Sequence, residues 1–243
     1  MSGVAGRPPP RRAGLLFDLD GTLAQTEHLH LAAFNVILAP SGRVLDEAAF
    51  VRHVSGQANE AITAHFFPDA TLAERQRLAD EKEAAFRSLA AHGGVDATPG
   101  AARMLAWARE RGVATGLVTN APVANARLMV EVLGLADAFD LVVSADETPR
   151  GKPHPDPYLA AVERLELAAE RTVVIEDSLT GVAAGRAAGL GVVALATDFT
   201  AARLQGSGAD MVCKDLSNAE LYAWLRQRLG LPATDAADLS EAP

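Results

Sequence analysis

The chain has 243 residues, 49% of them hydrophobic, with 22 Lys and Arg against 31 Asp and Glu for a formal net charge of −9. That acidity excludes the basic patch or stripe of a nucleic-acid footprint, and no apolar run approaches the roughly 18 residues of a membrane span. A single cysteine, Cys213, excludes an internal disulfide framework and a multi-cysteine metal site.

Residues 1–12 are rich in Gly, Pro and Arg and are expected to be disordered. Arg7, Arg11 and Arg12 precede an apolar run, but Asp18 and Asp20 break it too early for a secretory signal, so a cytoplasmic location is expected. The run 15–18 reads as a short strand leading into Asp18-Leu19-Asp20-Gly21-Thr22. Side chains at i and i+2 of a strand share a side. Asp18 and Asp20 can therefore address one reacting centre, one carboxylate as nucleophile and the other as proton shuttle. Gly21 relieves the backbone where the chain turns away.

Helical patterns follow at 26–39, 46–53, 58–66 and 71–92, with no strand between 26 and 97. The last helix spaces Leu72, Leu78, Phe86 and Leu89 among many charges, as an exposed amphipathic helix does. This segment is expected to be a helical insertion that forms a lid over the aspartate pair. His30, one turn after Thr26, reads as a packed or hydrogen-bonded helix histidine, with a leaving-group contact as the second reading. Gln57 and Asn59 are candidates for hydrogen bonds to sugar hydroxyls.

Strands are predicted at 114–119, 141–144, 172–176, 191–196 and 210–212, and helices at 101–111, 123–133, 157–165, 181–188 and 220–229. Apolar strands alternating with helices point to a parallel sheet covered on both faces. The fold class is α/β: a Rossmann-like parallel sheet core (1–25 and 98–231) with a small all-helical cap (26–97) inserted after the first strand. Residues 232–243 form an acidic stretch expected to be flexible. The apolar strand around Cys213 makes that thiol a packing residue.

Three further constellations lie at strand ends or just beyond them. Thr119-Asn120 could hold phosphate oxygens through the Thr hydroxyl and the Asn120 backbone N–H, or be an ordinary helix-capping turn. Lys152 lies in Gly151-Lys152-Pro153-His154-Pro155-Asp156-Pro157, whose alternate prolines predict a stiff extended loop that aims the lysine inward. There it would neutralise a phosphoryl group and Asp18. Glu176-Asp177 offers carboxylates to a hard cation such as Mg²⁺, with Asp18 and the Asp20 carbonyl completing the set and Glu176 acting directly or through a ligand. The alternative for that pair is an acidic helix N-terminus. Gly181, Gly185 and Gly189, four residues apart, are assigned to close helix-on-sheet packing.

From residue 15 to about 196 the constellation resembles the haloacid dehalogenase-like superfamily, whose four motifs match Asp18-x-Asp20-Gly21-Thr22, Thr119, Lys152-Pro153 and Glu176-Asp177. The insertion resembles the cap of the subgroup that holds beta-phosphoglucomutases and sugar-phosphate phosphatases, in which a histidine stands at the place of His30. The resemblance implies an Mg²⁺-dependent phosphatase of small phosphorylated metabolites, sugar or polyol phosphates first. Asp18 would be the nucleophile, forming an aspartyl-phosphate, and Asp20 the acid and then the base. Three rivals remain. A dehalogenase would not need Asp20 as an acid/base or the metal pair. A phosphoglucomutase would need a cap arginine, which 55–60 lacks, although Arg52, Lys82 or Arg87 could substitute. A non-catalytic binding protein would be expected to lose nucleophile or metal ligands. The partner expected is a small phosphate ester, with no nucleic acid and no membrane, and the chain acting as a monomer or weak homodimer.

Overall fold

The computed structural model describes residues 12–55, 57–196, 204 and 206–232. The expectations for 1–11 and 233–243 lie outside the described residues. Arg12 does not share the disorder expected of 1–12, because it opens the first strand.

Six parallel strands form one sheet in the order β5-β4-β1-β6-β7-β8. They are β1 (Arg12–Phe17), β4 (Ala114–Val118), β5 (Leu141–Val143), β6 (Leu167–Glu176), β7 (Gly191–Leu195) and β8 (Met211–Cys213). After β1 the chain builds outward on one side through β4 and β5, then returns to the other side with β6, β7 and β8. The order therefore reverses beside β1, and such a switch point leaves a crevice at the carboxyl ends of the strands, where ligands collect in open α/β sheets. Register fixes what gathers there. Phe17 pairs with Leu117 on one side and Ile175 on the other, so Asp18 stands level with Val118 and Glu176.

Alternation along β1 sends Leu15 and Phe17 to one core and Leu16 to another. The first core is covered by α5 (Ala101–Glu110), α6 (Val123–Val132) and α9 (Ala219–Leu229), and the second by α7 (Asp156–Arg164) and α8 (Leu179–Ala187). All residues of β4 and β7 are buried, as in strands covered on both faces.

The cap consists of α1 (Glu27–Leu38), α2 (Glu47–His53), α3 (Asn59–Phe66) and α4 (Leu72–Gly93). It has a small core of its own, made by Phe34, Ile37, Leu38, Leu45, Phe50, Val54 and Ile62. Thr71 and Glu74 close a reciprocal capping box at the start of α4. The chain enters and leaves this bundle through a short antiparallel ribbon, β2 (Ala24–Gln25) paired with β3 (Asp96–Ala97). β3 falls where no strand was predicted, since two residues carry no period. The predicted strand 172–176 begins at Leu167, because the polar Glu170 and Arg171 interrupt its apolar signal. The face of α4 also departs from expectation. Leu72 is exposed, whereas Lys82 and Glu83 are buried with Ala79, Phe86 and Ala90.

Candidate active site

Asp18 follows β1 directly, its N–H donating to the Ile175 carbonyl at 3.0 Å. Gly21 turns the chain at φ +77°, and a Cβ there would lie 2.0 Å from Asp177 Oδ2. Glycine is thus required for conformation and for the approach of that carboxylate. Asp18 and Asp20 diverge in environment. Asp18 faces Lys152, while Asp20 Oδ1 accepts from the Thr26 hydroxyl at 2.8 Å and lies 3.3 Å from His30 Nε2.

Lys152 is the centre of the site. Its side chain is only 3% exposed, and Nζ donates to Asp18 Oδ1 at 2.6 Å, Glu176 Oε1 at 2.6 Å and the Val118 carbonyl at 2.8 Å. All three ammonium donors are satisfied, so the lysine is aimed inward as the sequence led one to expect. The loop that carries it is a tight turn, with His154 N–H bonded to the Gly151 carbonyl at 3.0 Å, where an extended segment was expected. Two of the three prolines flank or open α7 and do not extend the loop. The Asn120 side chain sets the position of the turn. Its Oδ1 accepts from Lys152 N–H at 2.9 Å and its Nδ2 donates to the Lys152 carbonyl at 3.2 Å. Thr119 is buried and its hydroxyl accepts from Ala121 N–H at 3.0 Å.

Glu176 is fully buried. Oε1 accepts from Lys152 and from the Tyr158 hydroxyl at 2.7 Å, and Oε2 accepts from the Ser178 hydroxyl at 3.1 Å. Ser178 also caps α8, accepting from Gly181 N–H at 3.0 Å. A Cβ on Gly181 would stand 1.8 Å from the Glu176 carboxyl carbon. Gly181 therefore makes room for a site carboxylate, a correction to its assignment as helix-on-sheet packing. Gly185 keeps that assignment, against Val192 and Val174, and Gly189 is a turn residue at φ +75°. Tyr158 was missed by sequence reading because it falls in step with the apolar face of α7.

Burial and charge set the acids apart. Burial, reinforced by Glu176 and Asp20 against the lowering pull of Lys152, pushes Asp18 up to about 7. Burial would raise Asp20 too, but His30, Thr26 and Lys82 together hold it below the ordinary carboxylate range. Asp177 is raised well above that range by burial and by Asp18 and Glu176. Burial opposes the charge of Lys152, yet Asp18 and Glu176 keep that ammonium above its usual value.

Asp18, Glu176 and Asp177 converge, with one oxygen from each lying within 4.8 Å of the others. Among the described residues, three buried carboxylates face a single lysine. Among the described residues no donor satisfies the Asp177 carboxylate, so the donor set fits a hard cation with oxygen preference. Asp20 lies outside this cluster by its side chain.

The predicted cap residues divide. His30 stacks on Phe86 at 4.2 Å and bridges Asp20 to Lys82, its Nδ1 lying 3.0 Å from Nζ. Asn59 donates to Glu83 Oε1 at 2.7 Å, so its amide is engaged inside the cap. Gln57 is exposed, and its backbone N–H bonds to the Val54 carbonyl.

Residues 13–189 match the family model of the haloacid dehalogenase-like hydrolases. The chain belongs to that family. It is 32% identical over 237 residues to a phosphoglycolate phosphatase of Rhodospirillum rubrum, covering 94% of this chain and 95% of that protein. It is also 32% identical over 183 residues to the fructose-1-phosphate phosphatase of Escherichia coli, covering 75% of this chain and 96% of that one. Among solved structures, CbbY of Rhodobacter sphaeroides in complex with phosphate superposes with a TM-score of 0.77 at 28% identity, over 84% of this chain and 95% of that one. The parallel sheet with a helical cap is thus the shared fold of this family of hydrolases. No helix among the described residues is long and apolar enough to cross a membrane.

Proposed function

We propose that this hydrolase is a phosphatase of small phosphorylated metabolites, sugar or polyol phosphates first, acting through an aspartyl-phosphate on Asp18. The observation that carries the reading is the hydrogen bond of Lys152 to both Asp18 and Glu176 at the switch point, with Asp20 held apart in a different environment. Asp18 attacks phosphorus in line, and the bond to the ester oxygen breaks as Asp20 delivers a proton to it. Asp20 then takes a proton from the water that cleaves the acyl-phosphate, regenerating Asp18 and releasing phosphate. Lys152, with the Thr119 hydroxyl and the Asn120 N–H, balances charge on the transferring group. Such positioning and electrostatics carry most of the barrier reduction in phosphoryl transfer, since a general acid is worth about 10²–10⁴.

Mg²⁺ held by Asp18 and Asp177, with the Asp20 carbonyl, would supply charge neutralisation at the phosphoryl oxygens. The helical segment 26–97 acts as a cap that excludes water, and the described parts of 1–25 and 98–231 form the catalytic core. The low pKa direction of Asp20 calls for a proton gained after substrate enters, when the phosphoryl charge arrives beside it.

The phosphatase reading is favoured over a mutase by the engagement of the cap cations. Lys82 Nζ is paired with Glu83 and Arg87 Nη1 with Asn125, which leaves Arg52 alone of the three substitutes for gripping a second phosphate. The experiment is phosphate release from sugar, polyol and nucleotide monophosphates, including glucose 1-phosphate, with Mg²⁺ and with chelator. Chelator-sensitive release from sugar phosphates is expected. Conversion of glucose 1-phosphate to the 6-phosphate without release would replace this reading by the mutase, and no reaction of either kind would sink both.

A further inference from the structure

The polar chain that starts at Asp20 does not stop at His30 and Lys82. Lys82 Nζ, buried over the Phe34 ring at 4.8 Å, donates to Glu83 Oε1 at 2.8 Å. Glu83 is itself buried, and its other oxygen, Oε2, accepts from Asn125 Nδ2 at 2.5 Å. Asn125 Oδ1 accepts in turn from Arg87 Nη1 at 2.8 Å. Asn125 belongs to α6 of the core and is 1% exposed. Its two partners stand on α4 of the cap, one helical turn apart at i and i+4.

This one amide reads α4 with both ends. Its donor meets a carboxylate and its acceptor a guanidinium, so a slide of α4 by one turn, or a swing of the cap away from α6, breaks both bonds together. A buried Lys82–Glu83 pair is costly unless each charge is fully hydrogen-bonded. The cluster is complete only when α3, α4 and α6 meet, because Asn59 of α3 supplies the remaining bond to Glu83. Glu83 lies below the ordinary carboxylate range because Lys82 and Asn59 outweigh the effect of its burial.

We propose that Asn125, outside every catalytic motif, is a positioning residue that seats the cap on the core and thereby presents Lys82 and His30 to Asp20. The proposal rests on the reading of Asp20 as the proton donor to the leaving group. Loss of Asn125 therefore matters where the departing oxygen needs a proton. A sugar alkoxide needs one, whereas a nitrophenolate leaves without it.

The test is kcat/KM of the full chain with Mg²⁺ on its best sugar phosphate and on p-nitrophenyl phosphate, for wild type, Asn125→Ala and Arg87→Ala. Asn125→Ala should lose about 10- to 100-fold on the sugar phosphate, the effect of one hydrogen bond to a buried charge. On p-nitrophenyl phosphate it should stay within the scatter of the wild type. Arg87→Ala, a half-buried substitution that leaves the core of α6 intact, should show the same selective loss at smaller size. An equal loss on both esters in the two variants would mark a merely structural role and overturn the proposal, as would no loss on either. Wild-type enzyme that releases phosphate from neither ester would instead defeat the hydrolase reading beneath it.

Discussion

Lys152→Met removes the lysine that stands among three buried carboxylates, and its cost follows from the geometry. At 2.6 Å each, the contacts to Asp18 and Glu176 are worth about 6 kcal/mol apiece in gross attraction at an effective dielectric constant of about 20. Desolvation of the three ions consumes several kcal/mol per ion, so the pair contributes little net over an apolar substitute. Breaking it from one side is different, because two carboxylates then stay buried without their donor, at about 3–5 kcal/mol. For a domain of this size that is a fall in Tm of about 6–20 °C. In chelator Asp18, already at about 7 with the lysine in place, rises further once it is gone. The donor that balances charge on the transferring group is lost, so kcat should drop by at least about 10²–10³, the scale for removing one preorganised donor. Thermal melts in chelator and phosphate release with Mg²⁺ measure the two effects. Adding Glu176→Gln to Lys152→Met should recover part of the stability and none of the activity, since Tyr158 and Ser178 still hold that side chain. A single variant that melts with the wild type, or a double variant no more stable than the single, would refute the charge argument.

Asp20→Asn should lower kcat/KM on sugar phosphates by about 10²–10⁴, the usual worth of a general acid, and affect an aryl phosphate far less; equal losses on both would remove Asp20 from proton transfer. In chelator, stability should fall as pH rises from about 4 to about 7. Over that window folded Asp18 keeps a proton that the unfolded chain, near 3.8, has given up, and Asp177 acts in the same sense. Asp20 and Glu83, held low in the fold, act oppositely below about pH 4. Asp18→Asn should flatten the decline, and a Tm that climbs through this window would contradict the sign. Gly181→Ala places a methyl 1.8 Å from the Glu176 carboxyl carbon, for about 1–3 kcal/mol of destabilisation and a slower enzyme. An alanine variant with wild-type rate and Tm would show that Glu176 can move at no cost.

The core of the site was legible because parallel strands deliver their functional residues at their ends. Asp18, Thr119 and Glu176-Asp177 each follow an apolar run, and strand register then brings them level without further instruction. Lys152 was found by its turn residues, although the prolines produce a tight turn in place of an extended loop. What escaped the sequence depends on contacts between distant segments. Tyr158 looks like one more apolar position of α7. Asn120 was read for its backbone N–H, and its side chain proves to fix the Lys152 amide. Lys82 and Glu83 look like solvated charges on an amphipathic helix until α1, α3 and α6 close over them. The ribbon of β2 and β3 is too short to leave a period. Gly181 carries no mark that separates room for a carboxylate from room for a strand.

The most direct test of the central claim is chemical trapping of the intermediate. Enzyme turning over a sugar phosphate with Mg²⁺ is quenched and reduced with borohydride, which converts an aspartyl-phosphate to homoserine, and the peptide around residue 18 is sequenced by mass spectrometry. Substrate-dependent homoserine at position 18, absent from Asp18→Asn, is the result predicted. Homoserine at another carboxylate, or none in a preparation that is releasing phosphate, would contradict the account.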